Sequence, residues 1–192
     1  MSYDDQLKQY HALLLKWQKK INLISPSTIN DSWNRHFKDS IQVEPLIPSD
    51  AKTLFDLGCG AGFPGLVLAM MKPELNIHLV ESDQKKCSFM KAVSRETNTP
   101  VTIHNERIEK VNIEQTPDVI SARALASLES LFNYCRPWIE QNPNITLIFP
   151  KGEKAQEELK ILEQNWIFNK TEHQSKTDPR ATIFVFTNIS TK

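Results

Sequence analysis

The chain has 192 residues, 40% hydrophobic and 24% charged, a size and mixture suited to one globular domain with a sizeable core. Lys plus Arg and Asp plus Glu number 23 each, so bulk electrostatic attraction to nucleic acid is excluded and any basic surface must be local. Cys59, Cys87 and Cys135 are odd in number and lack metal spacing, no apolar run approaches ~18 residues, and no basic-then-apolar leader opens the chain, so the expectation is a cytoplasmic protein without disulfides, metal or membrane contact.

Leu7, Tyr10, Leu14, Trp17 and Ile21 recur at three- and four-residue steps with Lys16, Lys19 and Lys20 between them, which predicts an amphipathic helix. Ser25 and Pro26 predict the cap and first position of a second helix, with Ile29, Trp33, Phe37 and Ile41 on one face and Arg35, His36, Lys38 and Asp39 around it. Pro45 and Pro48 end this region. Residues 1–50 therefore read as a helical extension and 51–192 as one compact unit.

Residues 52–65 hold four of the five glycines of the chain. Glycine loses the most backbone freedom on folding, so a chain this poor in it should place it where the backbone needs unusual angles or close approach. Thr53-Leu54-Phe55 predicts a buried strand, Gly58, Gly60 and Gly62 a tight turn, and Leu66 to Met71 a helix, the order expected of a nucleotide site. Gly60 to Gly65 matches a dinucleotide fingerprint literally. Asp56, two residues before Gly58, instead fits the acid that precedes Gly-x-Gly-x-Gly in S-adenosylmethionine (AdoMet) sites, where a carboxylate ties down the loop or accepts from a cationic or amino group.

A second strand, Asn76 to Val80, ends in Glu81, 23 residues after Gly58, where an acid in a doubly wound sheet accepts from ribose hydroxyls. Asp83 predicts a helix cap, with Phe89, Met90 and Val93 inward and Lys85, Lys86, Lys91 and Arg95 outward. Strands follow at 101–103, 118–121 and 145–149, with helices at 127–140 and about 153–164. Runs at 166–168 and 182–186 then predict an antiparallel pair at one edge. The fold class is α/β, a mainly parallel sheet with one antiparallel strand. Gly58 to Gly62, Glu81, Arg107 to Glu109, Arg123 and Lys151 all fall at the carboxyl edge, where such sheets bind ligands.

The run Asp56 to Gly65, the Arg35-His36-Phe-Lys-Asp39-Ser40 stretch, Leu79 to Ser82, Arg107-Ile108-Glu109, Ser121 to Ala124 and Lys151-Gly152 together resemble the bacterial RsmG (GidB) family of 16S rRNA guanine-N7 methyltransferases. The usual family run has Ser directly before Arg, whereas here Ala122 intervenes. The resemblance implies a Rossmann-like, seven-stranded methyltransferase fold and methyl transfer from AdoMet to N7 of a guanine in the decoding-region loop. It implies that Asp56, Gly58, Gly60, Gly62, Phe63, Glu81, Ile108, Glu109 and Arg123 bind the cofactor. Arg123 and Lys151 would also serve the substrate. Lys16, Lys19, Lys20, Arg35, His36 and Lys38 form the densest basic region and are candidate RNA contacts, while His36 and Asp39 also read as structural hydrogen-bonding residues. The expected partner is 16S rRNA, free or within the 30S subunit, and the expected state is a monomer. A small-molecule AdoMet enzyme, a dinucleotide oxidoreductase and a noncatalytic RNA-binding module are the competing readings.

Overall fold

The computed structural model describes residues 2–111 and 114–192. Seven strands, β1 (Thr53–Leu57), β2 (Asn76–Val80), β3 (Thr102–His104), β4 (Val119–Ala122), β5 (Thr146–Lys151), β6 (Trp166–Gln174) and β7 (Thr182–Thr191), form one sheet in the order β3-β2-β1-β4-β5-β7-β6. The strands from β3 across to β5 are parallel, and β7 runs antiparallel to both β5 and β6. This is the mainly parallel sheet with one antiparallel strand and a terminal edge pair expected from the sequence. The order reverses between β1 and β4, which makes their carboxyl ends the switch point.

Consecutive strand residues face opposite sides, so β1 feeds two cores. Leu54 packs with α1 (Tyr3–Gln18), α3 (Gly65–Met71) and α4 (Gln84–Thr97); Phe55 and Leu57 pack on the other face, with α5 (Leu128–Gln141) and α6 (Ala155–Asn165). Every residue of β1 is buried, as a strand covered on both faces requires. The first core draws Leu7, Tyr10, Leu14, Phe37 and Val43 together with Leu54, Leu66 and Phe89, so one apolar cluster spans residue 50. The three cysteines are free and buried. Among the described residues, no helix is long and apolar enough to cross a membrane.

Asp83 caps α4 as expected, accepting from the backbone N–H of Lys85 and Lys86. The segment after α1 departs from expectation. A single helix through Ile29 and Ile41 is replaced by a 3₁₀ turn (Pro26–Asp31), a π-helical stretch (Trp33–Lys38) and the short α2 (Asp39–Ile41), and the Ser25 hydroxyl makes no capping bond. A long-range contact accompanies the wider turns of the π-helical stretch, the Arg35 carbonyl accepting from Arg123, while Trp33 and Phe37 stack at 4.9 Å within it. Gln18 shapes the exit from α1, its Oε1 accepting from Leu23 N and Ile24 N. The edge pair β6 and β7 runs longer than its apolar cores, because its exposed face is polar.

Candidate active site

Gly58, Gly60 and Gly62 have φ of +60°, +59° and +99°, the left-handed region that L side chains rarely adopt, which explains the cluster of glycines after β1. Asp56 is fully buried beneath the turn. Its Oδ2 accepts from Gly65 N at 2.7 Å and its Oδ1 from Ser121 Oγ at 3.0 Å, so it ties the turn to α3 and β4. Burial pushes its pKa up to about 7, against the opposing pull of those two hydrogen bonds. Above the turn, Glu81 Oε2 accepts from Gly60 N at 2.9 Å and Oε1 from Asp83 N at 2.8 Å. From the far side, buried Tyr10 donates to Ala61 O at 2.6 Å and stacks on Phe63 at 5.1 Å.

The turn borders a cleft of about 680 Å³, within the usual range for a small-molecule site. Gly58, Gly60, Phe63, Glu81, Ile108 and Glu109 line it, and so do Arg35, His36, Asp39 and Arg123, with Arg123 and His36 packed against Phe63. A Cβ built on Gly60 meets nothing within 4 Å, so the turn leaves its backbone open to a ligand. The cradle, the carboxylate of Glu81 at the end of β2 and the apolar Ile108 fit the methionine, ribose and adenine parts of AdoMet.

Arg123, just past β4, is held on four sides. Its Nη1 donates to Asp39 Oδ2 at 2.8 Å and to Arg35 O at 3.1 Å, its Nη2 to His36 Nδ1 at 3.2 Å, and its guanidinium lies 5.3 Å from the centre of the Phe63 ring. Guanidinium has no acceptor, so Nδ1 of His36 must be unprotonated and Nε2–H faces Thr28 Oγ1 at 2.9 Å. Burial, with the adjacent Arg123 charge, pushes the His36 pKa down to about 4, so its ring is neutral at pH 7. Ala124 follows at φ +53°, a strained non-glycine residue at the cleft wall.

Other candidate residues are engaged within the protein or lie outside the cleft. Lys151 lines the cleft, but its ammonium donates to Ala126 O at 2.6 Å and pairs with Glu158 at 2.8 Å. Gly62 points its missing side chain at Leu66 and Tyr10. Lys16, Lys19, Lys20 and Lys38 are exposed outside the cleft, while Leu23, Ile24 and Thr28 carry the chain from the first three into its wall. Arg35 pairs with Asp178 at 3.2 Å. The sequence reading missed Leu125 and the β6–β7 turn, whose Ser175, Thr177 and Asp178 also line the cleft. The polar Lys176-Thr177-Asp178-Pro179-Arg180 stretch reads as the loop joining the two edge strands, but nothing local shows that it folds back on residues 35–42.

The family model described as "rRNA small subunit methyltransferase G" matches residues 4–182. The chain is 46% identical to the ribosomal RNA small subunit methyltransferase G of Jannaschia sp. over 95% of its own length and 87% of that protein. It is 44% identical to the namesake from Paramagnetospirillum magneticum, covering 97% and 89%. Among solved structures, magnesium protoporphyrin IX methyltransferase from Synechocystis superposes with a TM-score of 0.65 over 97% of this chain and 98% of that one, at 10% identity. The ribosomal protein L11 methylase of Lactobacillus delbrueckii gives 0.61 over 82% and 79%, at 13% identity. These two likenesses establish the Rossmann-like methyltransferase fold. The family match and the close relatives go further: the chain belongs to the rRNA small subunit methyltransferase G family.

Proposed function

We propose that the protein transfers the methyl group of AdoMet to N7 of a guanine in the decoding-region loop of 16S rRNA. Family membership carries the coarser part, an AdoMet-dependent rRNA methyltransferase. The observation that carries the finer part is the presence, in one cleft, of a glycine cradle and a restrained Arg123 whose neighbours Asp39 and His36 are already engaged in hydrogen bonds.

When bound, AdoMet supplies an electrophilic methyl on sulfonium. Gly58, Gly60, Phe63, Glu81, Ile108 and Glu109 would hold it. N7 of guanine presents an in-plane lone pair and carries no proton, so attack needs no general base. The groups nearest Arg123 agree with that: His36 is neutral with both ring nitrogens engaged, and the Asp39 carboxylate is occupied by donors. Ser121-Ala122-Arg123-Ala124 spans the end of β4, where enzymes acting on exocyclic amines commonly carry an Asn or Asp followed by Pro-Pro and an aromatic residue.

Three of the five Arg123 donors are spent within the protein, leaving two for a ligand among the described residues. Arginine pairs naturally with a guanine edge, and donation to O6 would orient the base while leaving N7 free. Catalysis is then chiefly placement of the base against the methyl, an effect that can supply about 7 kcal/mol or more. Lys151, with its ammonium engaged by Ala126 and Glu158, serves better as a brace for the loop that carries Arg123. Residues 1–50 form the RNA platform in this reading, with exposed Lys16, Lys19 and Lys20 meeting phosphates as a splayed base enters the cleft.

The test is transfer of labelled methyl from AdoMet to free 16S rRNA and to 30S subunits, followed by nuclease digestion and mass spectrometry. 7-Methylguanosine confined to one loop is expected. Methylation of another base, or of small metabolites instead, overturns the assignment.

A further inference from the structure

Asp39 opens α2 and joins three segments far apart in sequence. Its Oδ2 accepts from Arg123 at the end of β4, at 2.8 Å. Its Oδ1 accepts from Thr177 Oγ1 at 2.7 Å, in the turn between β6 and β7, and from Gln42 Nε2 at 2.8 Å. Gln42 extends the same seam, its Oε1 accepting from Lys176 N at 2.8 Å and its amide donating to Ser175 Oγ at 3.1 Å. Both members of the Asp39–Arg123 pair are largely shielded from water, with side chains 18% and 15% exposed.

A free arginine side chain visits many rotamers, and holding one of them costs conformational entropy. A carboxylate that is itself pinned from two other directions settles that rotamer before any ligand arrives. We propose that Asp39 is a positioning residue for methyl transfer: it fixes Arg123 in the pose that orients the target guanine, and it draws its own rigidity from the β6–β7 turn through Thr177. This rests on the reading above, in which Arg123 meets the base. The π-helical stretch serves the same end, because Arg35 O and His36 Nδ1 approach Arg123 from the turn just before Asp39. The carboxylate supplies the one full negative charge among these three acceptors.

The experiment is a double-mutant cycle read as single-turnover methylation of the RNA form used by the wild type, at saturating AdoMet, with AdoMet affinity measured separately by calorimetry. Asp39→Asn is expected to slow transfer ten- to a hundredfold while the AdoMet Kd stays within twofold. Arg123→Ala is expected to do the same, and the double variant to be no slower than Arg123→Ala. A merely structural role would not produce that non-additivity. Multiplicative losses, wild-type transfer by Asp39→Asn, or wild-type transfer by Arg123→Ala each overturn the proposal. Thr177→Val leaves the charge pair intact and is expected to slow transfer several-fold; if Asp39→Asn fails to fold, wild-type transfer by Thr177→Val overturns it instead. The identity of the methylated nucleoside is read on the wild type. A product other than 7-methylguanosine defeats the guanine assignment and leaves the coupling between Asp39 and Arg123 standing on the rates alone.

Discussion

Leu125 fills the space that a side chain on Gly58 would need: its Cδ1 lies 2.5 Å from a Cβ built there. The glycines therefore rank by their surroundings. Gly152→Ala, with open space and no unusual φ, should change stability by less than about 0.5 kcal/mol. Gly60→Ala adds only the cost of a left-handed alanine, about 1–2 kcal/mol. Gly58→Ala carries that strain and must also displace Leu125 into the cleft, so it should weaken AdoMet binding more than Gly60→Ala. Gly65→Ala should be the most destabilising, since its Cβ would sit 2.3 Å from Leu79 and 2.8 Å from the Asp56 carboxylate. Urea unfolding and calorimetric titration with AdoMet check the order.

Tyr10 lies on α1 yet holds the glycine turn through Ala61 O. Tyr10→Phe keeps the stacking on Phe63 and deletes only the hydroxyl, leaving a buried carbonyl without that donor. The expected loss is about 1 kcal/mol of stability, together with a several-fold weaker AdoMet Kd, although Tyr10 itself does not line the cleft. An unchanged Kd in equilibrium dialysis would show that the turn holds its shape without this buttress.

Asp56 sets a pH dependence of known sign. Its pKa rises from 3.8 to about 7 on folding, so between these values the native state binds more protons than the unfolded chain. Stability from this group is complete below pH ~4 and is lost as pH rises towards 7. Asp56→Asn cannot ionise, and its amide can still face Gly65 N with oxygen and Ser121 with nitrogen. Melting temperatures measured from pH 4 to pH 7.5 should rise for the variant relative to wild type as pH increases. His36 acts in the opposite direction: with its pKa lowered to about 4, it costs stability as pH falls from 6.5. Comparing Asp56→Asn with His36→Asn separates the two.

Lys16, Lys19 and Lys20 are exposed, and none has an ion-pair partner among the described residues. Replacing all three with Gln should leave AdoMet binding unchanged and weaken RNA binding most at low salt. The slope of log K against log salt should become shallower by up to about 2 if each lysine neutralises one phosphate. An unaltered slope in filter binding would place the RNA on another face.

Regular elements and the glycine turn were legible because their signals are local. Positive φ selects glycine, Asp83 caps the helix that follows it, and buried parallel strands show as short apolar runs. The part of the cleft lined by Asp39 and Thr177 was less legible. Asp39 and Thr177 touch although 138 positions separate them, and each looks like an ordinary polar residue in its own segment. Lys151 shows the converse: its place at the carboxyl end of β5 pointed to the ligand, while a carbonyl and a carboxylate from neighbouring segments claim its charge. His36 stood between a surface cation and a structural group, and only its burial against Arg123 shows the ring to be neutral.

β7 sits between β5 and β6, and among the described residues β6 pairs with no other strand. A ribosome emits β6 before β7, so the earlier strand waits beside the nascent sheet with its whole ladder unmade. The turn that braces Asp39 closes only when both are in place. Synthesis order thus withholds a finished cleft until residues 182–191 have emerged, since β7 brings the buried Ile183, Phe184 and Phe186 to the two cores as well as closing the turn that braces Asp39.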